Sequence, residues 1–164
     1  TAFTIPAAGQ IEFPTPDEII NMIFNYDYPA VEKETRFLTI RGQELDTLPA
    51  RRLDEYKNLE AVTIEFTENP EAPDSVKEKL IADIEKKLPY LACLKKCPGL
   101  KYVIFHAGVY LFIRSVDKLP YNSGSSSIDI KADRLNLERL NSRFGKKLTE
   151  ILPGIKIYAH NWGW

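Results

Sequence analysis

Two histidines and two cysteines carry most of the reactive chemistry open to this chain of 164 residues. His106 and His160 close two short apolar runs, Tyr102 to His106 and Ile155 to His160. If those runs are strands, both imidazoles stand at C-terminal strand ends, where open parallel sheets place their ligand sites. An imidazole there can serve as acid or base near neutral pH. Arg41 and Glu65 occupy comparable positions earlier in the chain, so a small-molecule site or an enzyme for an anionic ligand is one reading of the four together.

Cys93 and Cys97 are four apart, a helical spacing that offers two thiolates on one face, with His106 as a third ligand to a metal. Their neighbours Leu91, Leu94 and Leu100 point instead to two small buried apolar residues. Helical side chains four apart run too nearly parallel to form a disulfide, so neither a disulfide nor a metal is expected. The glycine-rich phosphate loop, the nucleophile elbow and the zinc-protease helix motif are absent, and no cofactor is implied. Arg139, Arg143 and Lys147 form a basic ladder at i, i+4 spacing without interleaved aromatics, which reads as a solvated helix face rather than a nucleic-acid contact.

Bulk composition narrows the partners. The formal charge of -1 supplies no positive field to concentrate phosphate backbones or anionic lipid, so neither nucleic acid nor membrane is an expected partner. The longest apolar run, Val109 to Ile113, is strand-sized and far short of the roughly 20 residues that span a bilayer. Two cysteines fit a reduced, cytoplasmic compartment. The chain opens Thr1-Ala2-Phe3 without an initiator Met, consistent with removal of a leader or tag.

The elements that must position these residues follow from periodicity, within a single domain spanning 1–164. Residues 1–14 read as an extended arm with at most a short strand near Ile11 and Phe13. Thr15, Pro16 and Glu18 form a capping-box signal for a helix that ends near Tyr26, and Ser75 with Glu78 forms a second one. Pro89 should kink or restart that second helix, and Pro98-Gly99 should end it. Alternation marks strands at Phe37 to Arg41 and Val62 to Phe66. Ala107-Gly108 between two β-branched and aromatic runs predicts an antiparallel hairpin of Tyr102 to His106 with Val109 to Arg114, which makes the sheet mixed. Residues 122–127 read as a surface loop and Ile128 to Ile130 as a further short strand. Leu137, Leu140, Phe144, Leu148 and Ile151 form the stripe of a last helix, stopped by Leu152-Pro153-Gly154.

Four segments share one spacing: Thr35-Leu38-Ile40, Leu59-Val62-Ile64, Leu100-Val103-Phe105 and Leu152-Ile155-Ile157. The last three each follow a helix-like stretch and a turn, as right-handed β-α units stacked side by side require. Over residues 35–64, with Leu45, Leu48-Pro49, Leu53, Tyr56 and Leu59, the chain resembles the leucine-rich-repeat family. Gln43 and Thr67 stand at that family's asparagine position, and the units begin 24, 41 and 52 residues apart. The same spacing also arises at the helix-to-strand turns of any β-α-β protein.

The expected architecture is an α/β fold with a mostly parallel, mixed sheet and helices on one face. The alternating strands imply that the other face is open. Its exposed positions then form rows: Arg41, Glu65, His106 and Tyr158, flanked by Thr39, Thr63, Ile104 and Lys156 and by Phe37 and Tyr102. A rigid row of charged, imidazole and aromatic groups can bind a partner protein, with Tyr102 and Tyr158 as anchors, or can be an ordinary solvated face. The reading adopted is a non-enzymatic protein-interaction module with an unknown protein partner. The alternatives are a ligand or catalytic site around His106 and His160, and a toxin-neutralising or regulatory partner protein.

Overall fold

A computed structural model describes residues 11–13, 15–66, 72–106, 111–118 and 130–160. Helix α1 (Asp17–Phe24) leads to strand β1 (Phe37–Arg41), followed by β2 (Ala61–Glu65), α2 (Asp74–Lys87), β3 (Tyr102–His106), α3 (Ile130–Ile151) and β4 (Lys156–His160). The strands lie side by side in the order β1-β2-β3-β4 and every pair is parallel. With right-handed connections, a sheet that grows steadily in one direction puts every crossover on the same face.

The core has that arrangement. Leu38, Ile40, Val62, Ile64, Val103, Phe105, Ile157 and Ala159 point to one side of the sheet. They meet Leu45, Leu48 and Leu53 of the first crossover, Ile81, Ile84, Leu88, Leu91 and Leu94 of the second, and Leu140, Phe144 and Leu148 of α3. Phe66 stacks on Phe105 at 5.4 Å between ring centres, and Phe144 lies 6.2 Å from Phe66 and 5.8 Å from Phe112. The first crossover is a 3-10 stretch, Gly42–Arg51. It starts at a glycine because a Cβ there would stand 3.1 Å from the side chain of Ile84. Pro89 ends α-helical bonding as expected, and α2 continues as the 3-10 segment Leu88–Lys96. Gly154, at φ +83°, turns the chain from α3 into β4.

Several expectations are corrected. The sheet is all-parallel rather than mixed among the described residues. Leu111 and Phe112 form a turn, and the chain runs on through Ile113 and Arg114 into the 3-10 turn Ser115–Asp117. Residues 107–110 of the expected hairpin lie outside the described residues. The run is apolar because Leu111, Phe112 and Ile113 are buried. Its backbone groups find side chains in place of a ladder. Asn136 Oδ1 accepts the Phe112 N–H at 2.7 Å, Arg139 donates to the Phe112 carbonyl at 2.8 Å and Lys77 donates to the Ile113 carbonyl at 3.2 Å. Ile130 opens α3 instead of ending a strand. Ile128 and residues 122–127 lie outside the described residues.

Neither capping box forms. Thr15 Oγ1 donates to the Ala159 carbonyl at 3.0 Å, and Pro16 is the residue at the start of α1. Asp74 begins α2 one residue before the expected cap, and its carboxylate accepts from the Ser115 N–H and hydroxyl instead.

The second sheet face is not free of helix. Ile19 and Ile23 of α1 pack on Ile104, Tyr158 and Tyr102. Beyond α1, Tyr26 lies edge-on to Phe37 at 4.8 Å, accepts the Arg36 N–H on its hydroxyl at 3.0 Å and sits under the Arg36 guanidinium. Ile19 and Ile23 thus cover parts of β4 and β3, and Tyr26, just past the helix end, covers the start of β1. That cover accounts for the burial of Ile104 and Tyr158 on the α1 side, whereas β1 alternates.

The basic ladder on α3 is not merely solvated. Arg143 pairs with Glu85 at 2.7 Å and Glu78 at 2.6 Å, Lys147 pairs with Glu85, and Arg139 pairs with Asp117 at 2.6 Å. Arg114 also reaches Glu78, at 2.9 Å. These ions tie α3 to α2 and to residues 114–117. The Arg139 guanidinium pulls the Asp117 carboxyl down to about 2.

Candidate functional site at the strand ends

Parallel register decides which side chains are neighbours. Arg41 pairs with Glu65, Glu65 with His106 and His106 with His160. All four occupy the last position of their strands and project to the α1 side of the sheet, just beyond the strip that α1 covers. Adjacent strands lie about 4.8 Å apart, so the two imidazoles are immediate neighbours. The Phe66 N–H donates to the His106 carbonyl at 3.0 Å and extends the ladder to the row itself.

Exposure grades along the row. The Arg41 side chain is 60% exposed and only loosely paired with Glu44, at 3.8 Å. Glu65, His106 and His160 are half-buried. Burial, and then the neighbouring His160 imidazole, push His106 down to about 4, and burial also lowers His160. At neutral pH the row therefore holds one cation, one carboxylate and two neutral imidazoles, each imidazole with one N–H and one acceptor nitrogen.

The structure corrects the place of one expected site residue, Tyr158, and keeps Tyr102 in the row of Phe37. Tyr158 pairs with Ile104, not with His106, and is 5% exposed beneath α1. Tyr102 pairs with Ala61 and Lys156 near the other end of the sheet and is half-buried, its ring 6.1 Å from that of Tyr158. His160 takes the place given to Tyr158. The expected alignment slipped by two because Ile155 belongs to the turn after α3, where its N–H donates to the Leu152 carbonyl at 3.3 Å. Aligning strands by their last residues would have found it: Phe37–Arg41, Ala61–Glu65, Tyr102–His106 and Lys156–His160 each end on a charged or imidazole residue.

Among the described residues, no group of three His, Cys, Asp or Glu side chains is placed to hold a metal ion. Cys93 and Cys97 are free thiols. Cys97 is buried, and its Sγ lies 3.5 Å from the Leu53 carbonyl. Burial, and then the Asp54 charge, raise its thiol to about 11. At pH 8 such a thiol ionises on the order of 100-fold less than a free cysteine. Alkylation of Cys97 by iodoacetamide should be slower in the native protein by at least that factor than in denaturant, as read by peptide mass spectrometry. Equal rates in the two states would contradict this placement.

No helix of the described residues is long and apolar enough to cross a membrane. Comparison of the chain with family models, with curated proteins and with solved structures finds no match.

Proposed function

We propose that this chain is a non-enzymatic protein-interaction module that engages its partner through the strand-end row Arg41, Glu65, His106 and His160. The observation that carries this reading is the register, which brings four polar side chains from four strands into one line on a rigid support. The row offers a cation, an anion and two uncharged donor-acceptor rings at fixed spacing, a pattern suited to recognising a surface of mixed charge. The sequential strand order and single-sided crossovers support a leucine-rich-repeat-like kinship. In this reading α1 fills the middle of the face that such proteins leave open, which moves binding to the rim.

The test is recovery of partners from the native host's lysate by the unmodified protein and by Arg41→Ala plus Glu65→Ala. Both substitutions lie at exposed or half-buried positions, so melting temperatures should agree closely. The expected result is a specific partner retained by the unmodified protein and weakened about tenfold or more in the variant. Equal recovery by both proteins would remove the row from the interface.

A second reading, a small-molecule or catalytic site, draws on the adjacent neutral imidazoles, since an uncharged half-buried histidine can accept a proton from a bound ligand. It is distinguished by ligand-induced shifts of the two imidazole resonances in the absence of any protein partner.

A further inference from the structure

The two edges of the sheet differ. Beyond β4, Glu12 forms a parallel bridge with Tyr158, its N–H donating to Ile157 at 3.0 Å and its carbonyl accepting from Ala159 at 3.2 Å. Beyond β1, no described residue adds a strand. The Arg36 carbonyl accepts from β2, so Leu38 and Ile40 also turn their peptide groups to β2 while Phe37, Thr39 and Arg41 turn theirs outward. Phe37 is served by the Thr35 hydroxyl, which donates to its carbonyl at 2.7 Å and accepts its N–H at 3.3 Å. The Arg41 carbonyl lies where the 3-10 segment Gly42–Arg51 begins. Thr39 therefore presents both an N–H and a C=O to the outside, and its side chain is exposed as well. The usual guards of an open edge, a lysine, a proline or a bulge, are missing from β1.

We propose that β1 pairs antiparallel with β1 of a second copy, about a two-fold axis at Thr39. A residue that turns both peptide groups outward is half of the two-bond pair of an antiparallel ladder, and on a two-fold axis the other half is the same residue. This pairing sets Thr39 against Thr39, a favourable cross-strand pair. It also brings the Arg41 end of each strand to the start of the other, where Glu34 is exposed and has no ion pair among the described residues. Tyr28, 89% exposed, stands there too, edge-on to Tyr26 at 6.3 Å, and Tyr26 rests on Phe37. Opposite charge and an uncovered aromatic thus meet at both ends of the pairing. Because the β4 edge is already occupied by Glu12, growth stops at two copies.

Sedimentation velocity of the full chain at protein concentrations up to about 100 µM should show a monomer-dimer equilibrium, and the Thr39 amide should exchange more slowly as concentration rises. Thr39→Lys places two ammonium groups opposite each other across the axis and should weaken the dimer at least about tenfold. Thr39→Ala keeps the peptide groups and should retain it, and Tyr28→Ala should weaken it. A thermal melt of each variant separates loss of pairing from loss of fold. A protein that stays monomeric throughout overturns the proposal. So does a dimer that folded Thr39→Lys leaves intact, or one in which the Thr39 amide gains no protection.

Discussion

Replacing Tyr158 with alanine is expected to lower the unfolding free energy by about 3 kcal/mol, the cost of removing a large buried ring. The ring lies between α1 and the sheet, against Ile19, Ile104 and Tyr102. Burial and the nearby Glu12 carboxylate raise its phenol above the ordinary value of 10.0, so the hydroxyl stays protonated. Tyr158→Phe keeps the ring and should cost only about 1 kcal/mol, that of one hydrogen-bonding group. Because Ile19 and Ile23 of α1 pack on the Tyr158, Ile104 and Tyr102 cluster, Tyr158→Ala should also speed amide exchange across Asp17–Phe24. Arg41→Ala, at an exposed strand end, should change stability by about 0.5 kcal/mol or less. Urea titrations followed by circular dichroism give all three values. A Tyr158→Ala cost below about 1 kcal/mol would mean that α1 does not cover this face as described.

The contrast between Tyr158 and Arg41 marks what the sequence disclosed and what it hid. Strand order was readable because the crossovers repeat one spacing of apolar residues, and stacked parallel units need that spacing at every turn into a strand. Burial of the second face was not readable. Thr63 and Tyr158 look like the polar half of an alternating strand, yet both tolerate burial, and the cover over Tyr158 comes from Ile19 and Ile23, far away in sequence. Leu111 to Ile113 failed for a related reason. An apolar, β-branched run reports burial, not hydrogen-bonding partner, and here the partners are Lys77, Asn136 and Arg139, side chains on α2 and α3. The site was half legible: Arg41, Glu65 and His106 fell into one row, whereas His160 was displaced by a two-residue slip that reverses no side chain's face and so leaves no conflict in the hydrophobic pattern.

Stability should fall as the pH drops from about 6.5 toward about 4, because His106 holds its proton less tightly in the folded protein than in the unfolded chain. The sign follows from proton counts. Between those values the unfolded chain binds a proton at residue 106 that the folded protein refuses, so the unfolded state gains with each step of acidification. The contribution is whole above the ordinary histidine value of 6.5 and gone below the folded value of about 4. A full shift of this size corresponds to about 3 kcal/mol, and solvent reaching a half-buried ring reduces it to about 2 kcal/mol. His160, also lowered by burial, adds in the same direction. The carboxylates held low by arginine and lysine partners, Glu78, Glu85 and Asp117, lose their contribution only below about pH 4.5, so the interval from 6.5 to 5 belongs to the imidazoles. His106→Asn cannot titrate there and should flatten most of the slope in urea titrations at pH 7, 6 and 5. His160→Asn should in addition raise the His106 titration midpoint seen by NMR, since the neighbouring imidazole is the second cause of its depression. An unchanged slope in His106→Asn, or a His106 midpoint near 6.5 in the native protein, would show that the ring is solvated, and that the strand-end row is an open surface rather than a half-buried site.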